Sequence, residues 1–342
     1  MVRRLFTSNS NGWKFTAVVV ALAGVLCVEV LLGVAGPESE MVMYFDLVRE
    51  LVKQKKNVVI EVLGDSVSRT GIWAGMLEEE LGGGATVENY SLQGSGPVFS
   101  YFLLRDQVEA GTAPKYVIYA HSPHTYSGVR FPVLVGTFAT WPETIELMLT
   151  GEEPYEVLYG VLNRFSYTLR YRDQFDKASR GDMTFFTEAR EIYFGDRLYE
   201  HELANVRRQD FSVELPDRYV DPFTISSLNR KYFEKFLDLA ETNGITILWV
   251  TMPLPQSVYD ARQADGFIAD YYAFIDSIES PNVVMLQPEF TVLDNKYFRD
   301  HSHLNADGGI EFTKQLAAKI APLVNGGDAN LPARAGLSLP TP

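Results

Sequence analysis

Asn57-Val58-Val59-Ile60-Glu61-Val62-Leu63-Gly64-Asp65-Ser66 reads as a buried strand that runs straight into a turn. Branched and leucine side chains crowd it and Gly64 marks its end, the pattern of a parallel strand covered on both faces. Similar runs recur at Ala85–Ser91, Lys115–Ala120, Thr246–Thr251 and Asn282–Leu286. Between and around them lie segments with helical periodicity: Glu40–Val52, Ile72–Leu81, Val98–Val108, Ser226–Thr242, Ile268–Ile278 and Ala306–Leu323. Strands alternating with helices predict a doubly wound α/β domain with a five-stranded parallel sheet. In such folds ligands bind beyond the carboxyl ends of the strands, where Ser66 falls.

The remaining chain is organised around that domain, which spans residues 39–324. The chain has 342 residues, 46% hydrophobic and 22% charged, so it can build a packed core. Its net charge of −14 repels a phosphate backbone and argues against nucleic-acid binding. A single cysteine, Cys27, excludes an intrachain disulfide and a cysteine-based metal cluster. Residues 1–14 are basic, through Arg3, Arg4 and Lys14, and residues 15–36 are apolar apart from Glu29. That arrangement predicts a transmembrane signal anchor with its amino end in the cytoplasm and the domain outside, on the periplasmic side of an inner membrane. The competing expectation is a signal peptide cut after Ala35 or Gly36, which would release a secreted protein.

The strand–helix alternation stops over residues 125–221, an insertion rich in Tyr, Phe, Arg and Glu. Helical pieces are expected there at Pro154–Tyr171 and Phe186–Arg207. They serve either as a lid or substrate surface or as extra packing on the core. The tail, residues 325–342, is rich in Gly, Ala and Pro and reads as a flexible end.

Two segments carry chemistry. Ser66 stands where a strand turns into a helix amino terminus, so backbone N–H groups there can stabilise an oxyanion. An ordinary helix cap would look the same. Near the other end, Tyr297-Phe298-Arg299-Asp300-His301-Ser302-His303 places an acid three residues before a histidine. A tight turn can join Asp300 to one ring nitrogen of His303 and leave the other facing Ser66, which is what a serine nucleophile needs.

Gly64-Asp65-Ser66 together with Asp300-x-x-His303 resembles the first and last blocks of SGNH/GDSL hydrolases, over roughly Asn57–Leu323. The resemblance implies a flavodoxin-like three-layer α/β/α fold and a catalytic Ser66–His303–Asp300 set, with no cofactor and no metal. It also implies an oxyanion hole from the Ser66 amide and a glycine after the second strand, which Asn89-Tyr90-Ser91-Leu92-Gln93-Gly94 supplies as Gly94. The third block departs from the family. Where Gly-x-Asn-Asp is usual, this chain has Tyr119-Ala120-His121-Ser122-Pro123-His124, so His124 either donates in place of the asparagine or packs in a turn.

An exported domain beside a membrane is similar in character to the anchored SGNH-like proteins of alginate acetylation. The expectation is therefore an esterase or O-acyltransferase acting on an exported or cell-envelope glycan. Its partners would be an acyl-ester donor or acylated glycan, the membrane, and other members of an envelope assembly. Two alternatives are an inactive glycan- or partner-binding module and a metal hydrolase built on His121, His124, His301 and His303 with Asp65 or Asp300. A phosphate-cradling loop is absent: Gly94-Ser95-Gly96 runs into Pro97.

Overall fold

The computed structural model describes residues 10–35, 40–128, 132–150, 154–181 and 222–325. Five parallel strands form the central sheet: β1 (Ile60–Gly64), β2 (Val87–Asn89), β3 (Tyr116–Ala120), β4 (Thr246–Val250) and β5 (Val283–Gln287). Their spatial order is 2-1-3-4-5. That is the flavodoxin-like winding, whose switch point lies between β1 and β3.

Helices cover both faces, and the two-residue period of the strands decides which side chain meets which layer. Leu63, Val117, Tyr119, Ile247 and Trp249 point to one layer. That layer contains helices α2 (Glu40–Gln54), α5 (Pro97–Ala110) and the segment Ser227–Thr242. Ile60, Val62, Ile118, Leu248 and Val250 point to the other, made by α3 (Ser66–Gly71), α4 (Ala74–Glu80) and the helix Ala306–Asn325. Burying each large apolar side chain stabilises the fold by about 1.5–3 kcal/mol, so the two layers hold the sheet from both sides.

The expected strands, and the expected helices that fall on described residues, are present with shifted ends. The first strand begins at Ile60, because Asn57 takes a left-handed backbone conformation (φ 70°). The expected helix Ile72–Leu81 is the shorter α4, and an additional short helix, α3, precedes it, parted from it at Ile72 and Trp73. Pro154–Tyr171 is also broken: α8 (Pro154–Leu162) ends in a turn and α9 (Tyr167–Arg170) follows, capped by the Ser166 side chain on the Leu169 amide. Phe186–Arg207 and the tail lie outside the described residues. Helices α6 (Pro132–Phe138), α7 (Trp141–Thr150) and Gln256–Ala264 had no clear sequence signal.

Ahead of the domain stands α1 (Ser10–Ala35). Its window Lys14–Gly33 has a mean hydropathy of 2.6 and is not buried by the rest of the protein. Twenty residues at 1.5 Å each make about 30 Å, the thickness of a bilayer's hydrocarbon core. It has the length and composition of a membrane anchor or a signal sequence.

Candidate active site

The turn after β1 is built around Asp65. Its side chain caps α3 by accepting from the Val67 amide at 2.8 Å. It also accepts from the Ser122 amide at 2.9 Å and from the Ser122 hydroxyl. Asp65 therefore ties the end of β1 to the loop after β3 and is fully committed to structure. Gly64 has to be glycine: a Cβ there would lie 2.4 Å from the Ala120 carbonyl oxygen on β3. The result is a turn in which every residue from Ile60 to Ile72 is buried except Ser66.

The second segment reaches the same edge from the far end of the chain. After β5 the chain forms a narrow turn closed by a bridge between Phe298 and Leu304 and by the Arg299 amide donating to the His303 carbonyl at 2.9 Å. Asn305 fixes its exit, donating to the Lys296 carbonyl at 2.7 Å and accepting from the Gly308 amide at 3.0 Å. Within this turn Asp300 accepts from the amides of Ser302 and His303 at 2.9 and 2.8 Å. His303 Nδ1 lies 2.8 Å from Asp300 Oδ2, and His303 Nε2 lies 2.9 Å from Ser66 Oγ.

Burial works to raise the Asp300 carboxyl. The hydrogen bond and charge of the His303 ring and the two turn amides outweigh it and hold Asp300 well below the usual carboxylate range. A carboxylate fixed in the ionised state can orient a histidine and stabilise it when it gains a proton. The continuous chain hydroxyl–imidazole–carboxylate can thus take a proton from Ser66 and return it to a leaving group.

The other expected residues sit at the same edge. Gly94 follows β2 in a left-handed conformation (φ 66°) that favours glycine, and the neighbouring Ser95 hydroxyl donates to the Gly64 carbonyl at 2.7 Å. His124 lies in a short 3₁₀ turn, Pro123–Tyr126, after β3. It lines a cavity of about 30 Å³ with Val67, Ser122, Met252, Leu254 and Ser302, residues that include the chain neighbours of Ser66 and His303. The cavity's wall is mostly apolar, and its volume matches roughly two or three water-sized groups.

His121 is committed elsewhere. It is buried, its Nε2 lies 2.7 Å from the Ser100 hydroxyl, and burial pushes its pKa down to about 4. Among the described residues no group of three or more His, Cys, Asp or Glu side chains is arranged to hold a metal ion. The Asp65–Ser122 link was the part of the site that sequence reasoning missed, because it joins residues 57 positions apart. The two-strand pairing of Leu254–Pro255 with Val292–Leu293, which positions Leu254 at the small cavity, was equally silent. No protein-family model matches the chain, and no curated protein matches it.

Proposed function

We propose that this protein is an SGNH-type esterase or O-acyltransferase that uses Ser66 to move acyl groups on or off an exported or cell-envelope glycan. The single observation that carries the proposal is the 2.9 Å contact between Ser66 Oγ and His303 Nε2, with Asp300 on the other ring nitrogen.

In the proposed reaction His303 Nε2 takes the Ser66 proton as Oγ attacks the ester carbonyl. Negative charge grows on the carbonyl oxygen, where the Ser66 and Gly94 amides and the His124 ring are the candidate donors. The imidazolium, balanced by Asp300, then protonates the departing alkoxide and leaves an acyl ester on Ser66. In the second half a hydroxyl gives its proton to His303 and attacks that ester, restoring free Ser66. Water as the attacker gives an esterase, and a sugar hydroxyl gives a transferase. The small cavity beside Ser66 favours an acetyl-sized acyl group.

Export is part of the same proposal. The basic flank of α1 supports an amino end in the cytoplasm and a periplasmic domain from about Ser39 onward. The deciding experiment is labelling of the full chain with a fluorophosphonate probe, followed by peptide mapping. Modification of Ser66, lost in Ser66→Ala, is the expected result. A folded protein that resists the probe yet still binds polysaccharide would instead mark an inactive binding module.

A further inference from the structure

A second cavity lies elsewhere on the domain. It has a volume of about 480 Å³ and is lined by α2, α6, α7 and the turn between α8 and α9, with none of the residues Ser66, Asp300 or His303 in its wall. Three arginines face it, Arg49, Arg164 and Arg170, against one carboxylate, Asp46. Asp46 pairs with Arg170 at 2.5 Å, which leaves an excess of positive charge. Arg164 is half committed to the carbonyls that end α6, those of Gly136, Val135 and Ala139. Burial lowers its pKa, the positive charge of Arg49 lowers it further, and Glu143 outside the wall offsets only part of this.

Asn163 supplies an independent sign of a missing ligand. It lines the same cavity, it is 4% exposed, and neither its Nδ2 nor its Oδ1 has a hydrogen-bond partner. Arg49 Nε is likewise buried and unpartnered. Leaving buried polar groups unpaired is destabilising, and a polar, anionic guest would remove that cost.

The surroundings fix what kind of anion. Glu29 of α1 accepts from the Ser166 hydroxyl at 3.0 Å and from the Thr168 amide at 3.1 Å, at the entrance to α9. It sits four residues, about 6 Å, inside the outer end of the apolar window. The cavity wall at Arg170 is therefore level with the outer margin of the membrane helix. Outside that helix, every exposed large apolar side chain among the described residues falls between Trp141 and Phe165. Trp141 and Phe165 stack at 6.0 Å, Leu149 is 80% and Tyr155 84% exposed. Exposed aromatics and leucines beside cations are the make-up of a surface that lies in the headgroup region of a bilayer.

We infer that α7 and α8 rest in the outer margin of the membrane and that the arginine cavity behind them holds the phosphate headgroup of an anionic phospholipid. Guanidinium forks bind phosphate in paired hydrogen bonds, and Asn163 can both give and take one. Held this way, the domain stands at a fixed height and tilt over the bilayer, independent of the chemistry at Ser66. The inference rests on α1 remaining attached as an anchor.

The test uses the full chain purified in detergent, with its intact mass measured first. It is offered equal amounts of phosphatidylglycerol and phosphatidylcholine, and bound lipid is counted by native mass spectrometry. Phosphatidylglycerol should be retained in preference, and Arg49→Gln and the more exposed Arg170→Gln should each lower that preference about fivefold. Arg180→Gln, outside the cavity, should not. In nanodiscs of phosphatidylglycerol, a polarity-sensitive dye on Leu149→Cys, in a Cys27→Ala background, should report an apolar setting. Equal retention of the two lipids, or a preference untouched by both cavity variants while their thermal midpoints stay normal, overturns the inference. So does full displacement of the lipid by millimolar inorganic phosphate, which would make the site one for a soluble anion. Water-like emission at position 149, or an intact mass lacking α1, overturns it as well. None of these outcomes bears on the fluorophosphonate result, so the two proposals fail separately.

Discussion

Asp300, partly exposed at the carboxyl edge of the sheet, and Glu61, buried in the middle of β1, are acids driven in opposite directions. Asp300 has a histidine ring and two amide N–H groups around it and stays ionised far below the normal range. Glu61 is completely buried, with the Gln107 amide as its only hydrogen-bond donor among the described residues, and burial pushes its pKa up to about 8. Glu88, its register neighbour on β2, adds to the rise. Burial opposes ionisation at both sites; the number and sign of the partners decide which acid keeps its charge. The edge of the sheet thus holds an ionised acid against a histidine, and the strand interior holds a neutral acid as part of the core.

The sharpest way to break that division is to truncate the edge. Ser66→Ala and His303→Ala should each lower turnover of an acetyl ester roughly 10⁴–10⁶-fold, with the double change adding little. Asp300→Asn should cost less than either, because it orients the ring without accepting its proton. The thermal midpoint should barely move in Ser66→Ala, since Ser66 is only partly buried. Additive losses at Ser66 and His303 would show that they serve different steps.

His124 probes the boundary between chemistry and packing. If its ring donates to the oxyanion, His124→Ala lowers the single-turnover acylation rate by about 10²–10³ and leaves substrate affinity nearly unchanged. A normal rate with a lowered thermal midpoint assigns His124 to the turn, and leaves the Ser66 and Gly94 amides as the donors. The small cavity sets a milder effect. Acetyl esters should exceed hexanoyl esters in kcat/KM, and Leu254→Ala, which enlarges the cavity, should narrow that gap about tenfold. An unchanged ratio would place the acyl chain elsewhere.

The two acids also differ in how far the sequence announces them. Asp300-x-x-His303 and Gly64-Asp65-Ser66 were legible because each is a short local pattern whose chemistry depends on residue type and spacing. The five strands were legible for a similar reason: runs such as Val117-Ile118-Tyr119 suit a strand buried on both faces and little else. Glu61 gave no such signal. It sits inside a Val/Ile run where a charged residue breaks the pattern, and only Gln107, 46 positions away, explains how it is accommodated. The arginine cavity was silent too, since Arg49 on α2 and Arg164 after α8 are brought together by α6, which packs against both helices. Residues 132–181 carry helical sequence whose turns and order depend on what they pack against, so their boundaries could not be read locally.

Glu61 provides the smallest effect on chemistry and the cleanest test of the core side of the comparison. Its pKa rises from an ordinary 4.5 to about 8 on folding. For an acid shifted upward, the folded state binds its proton more tightly than the unfolded chain does. The stabilisation is complete below about pH 4.5 and is lost as the pH climbs through about 8. Over that window Glu61 should make the protein progressively less stable, whereas Asp300, shifted downward, loses its contribution only in acid. Glu61→Gln keeps the shape and the contact with Gln107 but removes the proton. The thermal midpoint of the full chain should therefore be nearly unchanged by Glu61→Gln near pH 5. Near pH 8 it should exceed that of the parent by roughly 6–12 °C, the equivalent of about 3–4 kcal/mol of stability. Acetyl-ester turnover should stay the same at both pH values, because Glu61 faces α5 and not the edge that carries Ser66. A pH-independent difference would mean that Glu61 stays ionised in the core with help from a further partner. A loss of turnover would tie this strand interior to the reaction after all.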